Sequence, residues 1–204
     1  MSGRLGAMAS PQLQIAQDET ADALLATDPF ALLTGMLLDQ QFPMERAFAG
    51  PAKIKERFGG LDPAAIAAAD PEEFADLCAT PPAVHRYGRS MAGRIQSLAT
   101  IVRDEYDGRA ERIWTTAADT TQLLARLKAL PGFGDQKARI FAALLGKQLG
   151  VRPDGWREAI GPYAEEGSHR SVADVVDETS LLEVREYKKA AKARAKAEKA
   201  AKGT

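Results

Sequence analysis

The sequence predicts an all-α protein, and three features carry that expectation. Its 204 residues are rich in alanine, leucine, glutamate, lysine and arginine, which lose least on entering a helix. Runs of alternating β-branched residues, the mark of half-buried strands, are missing. Three Asp-Pro pairs, Asp28-Pro29, Asp62-Pro63 and Asp70-Pro71, each place a capping carboxylate ahead of a proline at the first helical position.

Taken in order, the first pair opens a helix with Phe30, Leu33, Leu37 and Leu38 on its apolar face, expected to run to about Gln41 and to be halted by Pro43. The second and third pairs open two more. A helix over roughly Ser90 to Tyr106 buries Met91, Ile95, Leu98 and Val102, and Asp107-Gly108 ends it. Asp119 with Gln122 three residues on is a capping-box variant, and Leu123, Leu124, Leu127 and Leu130 supply the buried stripe behind it. After LPGFG the helical spacing resumes at Ala138, Phe141, Ala142, Leu145 and Leu149, so Leu130 to Ala138 is the turn of a helix–hairpin–helix. A short helix from Gly155 to Tyr163 follows, then a last patterned helix from Val172 to Tyr187. The Lys/Ala sequence beyond it has no apolar face and reads as disordered or as a solvated helical extension. The expected organisation is a flexible N-terminus (1–10), a helical domain (11–187) and a basic tail (188–204).

A hydrophobic content of 45% suffices for a substantial core. No apolar run approaches the roughly 18 residues of a membrane helix, and MSGRLGAMASPQ lacks the apolar stretch of a secretory signal, so a cytoplasmic location and no membrane partner are expected. A single cysteine, Cys78, excludes an internal disulfide, a cysteine-rich zinc site and a cysteine-ligated iron–sulfur cluster. His85 and His169 lack metal-ligand spacing, so neither a metal nor a cofactor is expected. The net charge of −1 hides a segregation: residues 1–80 carry 5 basic and 12 acidic side chains, 81–157 carry 13 and 7, 158–187 carry 2 and 8, and 188–204 carry 7 and 1. Two basic segments on an acidic protein fit a polyanionic partner that touches selected surfaces.

The stretch LPGFGDQKA supplies a place for such contact. Two glycines flanking one apolar residue let the backbone turn sharply while Phe133 anchors it, and the free N–H groups around Gly132, Gly134 and the next helix start converge on one spot suited to a phosphate. A tight αα-corner with glycines for steric reasons alone is the plainer alternative. Asp135 favours the helix dipole, yet its carboxylate would repel a phosphate.

From about Pro29 to Tyr163 the sequence resembles the helix–hairpin–helix DNA glycosylases, the superfamily of endonuclease III, the adenine glycosylases and the bacterial 3-methyladenine glycosylases. The carrying motifs are LPGFGDQKA, GVRPDGW and MLLDQQFP. The resemblance implies a two-lobed fold with the active cleft between the lobes, acting as a monomer on double-stranded DNA that contains a damaged base, in the nucleoid. It places Asp154, eighteen residues beyond Gln136, at the catalytic aspartate, where a carboxylate would stabilise an oxocarbenium-like sugar and position water; an N-cap for the following helix is its other possible role. It places Gln41 at the residue inserted beside a flipped nucleotide. Gln136 stands where bifunctional members carry a nucleophilic lysine, and Lys137 is turned about 100° away on the helix. A monofunctional glycosylase, cutting the N-glycosidic bond with water, is therefore expected, with a noncatalytic DNA-binding protein as the alternative. The hairpin residues Gly132, Phe133, Gly134, Gln136 and Lys137 join Gln41 as the expected DNA contacts. Arg86, Arg89 and Arg94 are further candidates for phosphate, and Trp156 and Tyr163 for walls of the base pocket. Met36 occupies the position of the adenine glycosylases' catalytic glutamate, which argues against adenine excision by their mechanism.

Overall fold

The structure is a computed structural model and describes residues 12–202. The expected flexible segment, residues 1–10, lies outside the described residues, as do residues 11, 203 and 204. The described residues form helices and turns without strands. The first group of helices is α1 (Glu19–Thr27), α2 (Pro29–Leu38), α3 (Met44–Phe58), α4 (Pro63–Ala68), α5 (Pro71–Ala79) and α6 (Gly88–Glu105). The second is α7 (Arg112–Thr115), α8 (Thr120–Lys128), α9 (Asp135–Gln148), α10 (Trp156–Ile160) and α11 (Glu178–Lys202), with 3₁₀ turns at Gly161–Ala164 and Val172–Asp174.

All three Asp-Pro signals hold. Asp28 accepts from the N–H groups of Phe30 and Ala31, Asp62 from Ala65, and Asp70 from Glu72 and Glu73. These caps start α2, α4 and α5 where the orphan amides of a helix need acceptors. Asp119 likewise accepts from Gln122 N–H while the Gln122 amide oxygen accepts from Ala118 N–H, closing the start of α8.

Within the first group α2 packs on α3, and α4 and α5 on α6; within the second, α8, α10 and the 3₁₀ turns surround α9. The two groups are the lobes, and they share one apolar core. Every residue of α2 from Phe30 to Leu38 is buried, so it reads as a central helix with no polar face.

Three helices differ from expectation, and the one expected from Gly155 to Tyr163 is α10 followed by the 3₁₀ turn at Gly161–Ala164. Helix α2 ends at Leu38, because the Gln40 side-chain amide donates to the Leu37 carbonyl (2.6 Å) and Gln41 turns to a left-handed conformation, φ +52°. The segment expected as one helix from Val172 divides into a 3₁₀ turn, a break, and a helix started by Asp177, whose carboxylate accepts from Ser180 N–H. That helix then runs through the Lys/Ala sequence to Lys202, so the tail is a helical extension.

Helix α9 meets its neighbour through Gly146. A Cβ there would lie 2.3 Å from the Trp156 ring, and the Trp156 indole N–H donates to the Ala142 carbonyl (2.9 Å). Gly146→Ala is expected to cost about 1–3 kcal/mol of stability by overpacking, readable as a lower urea midpoint at unchanged slope.

Candidate nucleic-acid interface

The hairpin turn is built as its glycines suggest. Gly132 has φ +78°, and a Cβ at that position would meet Leu37 Cδ1 at 2.8 Å, so both the turn and the approach to α2 require glycine. Phe133 is buried, edge-on to Phe141 with centroids 6.0 Å apart, and pins the turn to the core. Gly134 is the N-cap of α9, with ordinary extended backbone, and its Cβ position faces open space. No side chain caps α9, and its first backbone bond runs from Ala138 N–H to the Gly134 carbonyl. The amides ahead of Ala138 thus face an open approach at the positive end of a 14-residue helix. Asp135 does not oppose an anion there as its sequence position suggested. Its carboxylate folds back onto Arg139 (2.8 Å) and Lys128 (3.5 Å), and the Arg139 hydrogen bond holds its carboxyl below the usual range.

Lys137 is neither solvated nor aimed outward. Its ammonium donates to the carbonyls of Met36 (2.9 Å) and Leu37 (3.3 Å), which α2 leaves unpaired at its C-terminus. Burial pulls its pKa down to about 8, against an upward pull from Asp39. Lys137 therefore joins the hairpin to α2, and its expected DNA contact is corrected to an internal one.

The corner after α2 is held from several sides. The buried His85 ring accepts Tyr87 N–H at Nδ1 (3.0 Å), which leaves Nε2 to donate to the Gln40 carbonyl (3.0 Å). Burial lowers the His85 pKa and favours that neutral form. Arg94 donates to the Gln40 side-chain oxygen (2.9 Å), and Arg86 to the Gln41 carbonyl (3.4 Å). Arg89 is engaged with Glu72 and Asp76. Of the three arginines weighed as phosphate ligands, two therefore buttress this corner and one ties α6 to α5. The product is an exposed Gln41 in a left-handed conformation that non-glycine residues rarely adopt, presented by a loop that its neighbours over-determine. His85 was legible from sequence only as a structural histidine; its partner lies 45 residues away.

Gln136 is exposed, and its amide donates to the Tyr163 hydroxyl (2.9 Å). Tyr163 thus stands beside Gln136 at the start of α9. Trp156 does not, because it is buried on Gly146 and Ala142.

Asp154 is not brought to Gln136. Its carbonyl accepts from Thr120 N–H (3.1 Å) at the start of α8, and the Trp156 beside it packs on Gly146, ten residues along α9 from Gln136. Ten residues of helix span about 15 Å. Asp154 is exposed and makes no cap for α10. The carboxylate expected to be buried at Asp154 is therefore exposed, because the loop after α9 turns at the far end of that helix. A mostly covered carboxylate at the near end is Asp39, whose side chain is 13% exposed, next to the Lys188 ammonium (3.8 Å) and within the field of Lys137.

A hairpin with open amides, docked beside a strained and exposed glutamine, defines a helix–hairpin–helix protein of the DNA-binding kind. The model of the HhH-GPD superfamily of base excision DNA repair proteins matches residues 34–202, and the chain belongs to that superfamily. The match takes in α2 from Thr34 onward, the hairpin and α11, and leaves α1 outside. No curated protein and no solved structure matches the chain.

The Lys137 junction has a pH signature. With a folded pKa of about 8 against an ordinary value of 10.5, the unfolded chain binds the extra proton between those values. Stability should therefore rise with pH from about 8 to about 10.5 in the wild type relative to Lys137→Met, as measured by urea denaturation across that window. A parallel pH dependence in the two proteins would contradict the depressed lysine.

Proposed function

We propose that this chain is a monofunctional DNA N-glycosylase that binds duplex DNA through the hairpin, extrudes a damaged nucleotide with Gln41 in its place, and hydrolyses the N-glycosidic bond. The observation that carries the reading is the junction of the α9 amides and Gln41 through Gly132 and Lys137, which supports a phosphate contact and an inserted side chain acting from one corner. Extruding a base costs a few kcal/mol, and a polar wedge that fills the vacated stack offsets it. The hydrolytic part rests on Gln136, since an amide cannot form a Schiff base, and on Lys137, whose ammonium is engaged by two carbonyls of α2. In the reaction water adds to C1′ as the bond to the base breaks; the base leaves with the bonding electron pair and takes up a proton. Asp39 is the carboxylate we assign to the cationic sugar, because it lies at the wedge corner and Asp154 does not.

The same displacement of Asp154 favours a second reading, a noncatalytic protein that reads lesions on this scaffold. A panel of alkylated, deaminated and oxidised substrates separates the two. The glycosylase should release base, leave the abasic strand uncut and give no borohydride-trapped adduct. Asp39→Asn should lower single-turnover excision by about 100-fold or more, while Asp154→Asn leaves it near wild type. The opposite pattern would return the chemistry to the far end of α9, and an adduct lost in Lys137→Ala would make the enzyme bifunctional. No excision on any substrate, with lesion binding intact, would favour the second reading.

Gly134 tests the phosphate site separately. Because a side chain there meets open space, Gly134→Leu should fold normally and still obstruct the amides. Binding should weaken about equally across duplex sequences; loss confined to one sequence would contradict a backbone contact.

A further inference from the structure

The basic helix α11 continues past the last buried residue, Val184, and its residues from Lys188 to Ala201 are exposed. Its charges are not spread evenly. At about 100° per residue, Arg185, Lys188, Lys189, Lys192, Lys196 and Lys199 fall within an arc of about 100°, while Ala190, Arg194 and Glu198 occupy the opposite side. The first two members of the stripe fix its direction. Arg185 pairs with Glu45 in the first turn of α3, and Lys188 approaches Asp39 at 3.8 Å. Both partners flank the corner that carries Gln41. The stripe therefore starts at the wedge and faces the side on which the wedge stands.

We propose that α11 is a rigid arm that lays Lys192, Lys196 and Lys199 on the phosphates of duplex DNA flanking the Gln41 site, in a phase set by the Arg185 and Lys188 contacts. This rests on the DNA-binding reading of the corner and adds to it a second, separate phosphate surface. The stripe lacks the apolar face that a helix lying in a membrane surface would need. From Lys189 to Lys199 the arm extends about 15 Å, far enough to follow a backbone over several phosphates. A flexible polycation would supply the same charge without phase, and that difference is measurable.

The test compares the full chain with three variants on undamaged duplex, following affinity against salt: a truncation after Lys189, an insertion of two alanines between Lys189 and Ala190, and an insertion of four at the same place. Two residues turn the outer stripe by about 200°, whereas four turn it by about 40° and lengthen the arm by about 6 Å. The truncated and two-residue variants should both lose about 3 from the slope of log K against log salt, for three lysines at about 0.9 each. The four-residue variant should keep most of the slope. A two-residue variant with the wild-type slope would show a flexible tail and overturn the arm. A truncated chain with the wild-type slope would show that the helix takes no part. Circular dichroism of each variant confirms that the inserted helix persists; its loss with the slope retained would also overturn the rigid arm. Gly134→Leu in the truncated background separates the two claims. If it still weakens binding while the truncation does not, the hairpin stands and the arm falls; if only the truncation matters, the reverse holds.

Discussion

Lys137 holds the two halves of the candidate interface together. The C-terminus of a helix leaves carbonyls without partners, and in α2 these point toward a buried region where water cannot satisfy them. An ammonium from the first turn of α9 meets two of them, with the helix dipole adding to the attraction. The arrangement has a cost, visible in the depressed lysine pKa, since part of the ammonium's hydration is given up. In exchange the open N-terminus of α9 is placed against the end of α2 that leads into Gln41. Gly132 makes the same contact possible sterically, because any side chain there would push Leu37 away. Geometry that a nucleic acid would read, the offset between a backbone amide cluster and an inserted side chain, thus depends on one cation and one missing methyl.

Local chemistry was legible wherever it acts within a few residues. The Asp-Pro caps, the Asp119 start and the glycine turn all bind to backbone within three or four positions, so spacing alone identifies them. The end of α2 was not, because what stops it is assembled from Gln40, His85, Arg94 and Lys137, partners up to 101 residues apart. Lys137 was misread for the same reason: a lysine on a helix surface becomes internal only when another helix end covers it.

The eighteen-residue spacing from Gln136 to Asp154 does not translate into proximity. Separation along the chain limits how far two residues can be apart, and says nothing of whether the loop returns. Here the path is settled by Gly146, whose missing side chain admits the Trp156 ring onto the far end of α9 and carries Asp154 with it. Tyr163 is the residue that comes back, because α10 and the 3₁₀ turn after it run alongside α9, where Arg139 also donates to the Ala159 carbonyl (2.6 Å). A Gly-Trp pair ten residues apart was visible in the sequence, but without a partner surface it could equally have been turn punctuation and a pocket wall.

The charge segregation takes on meaning once each acid is placed. Asp28, Asp62 and Asp70 cap helices, Glu72 and Asp76 engage Arg89, and Asp135 is drawn aside by Arg139 and Lys128. These carboxylates leave the open end of α9 to its amides. Asp39 differs from them: it caps nothing through its side chain, lies mostly covered, and is flanked by cations from α9 and α11. A mostly covered carboxylate in the field of two lysines is poorly explained as a solubilising charge. Two lysines beside it fix its place next to Gln41, two residues along the chain, which is the placement the proposed role at a cationic sugar requires. The same contact ties Asp39 to α11, for Lys188 is both its neighbour and the first lysine of that helix's basic stripe.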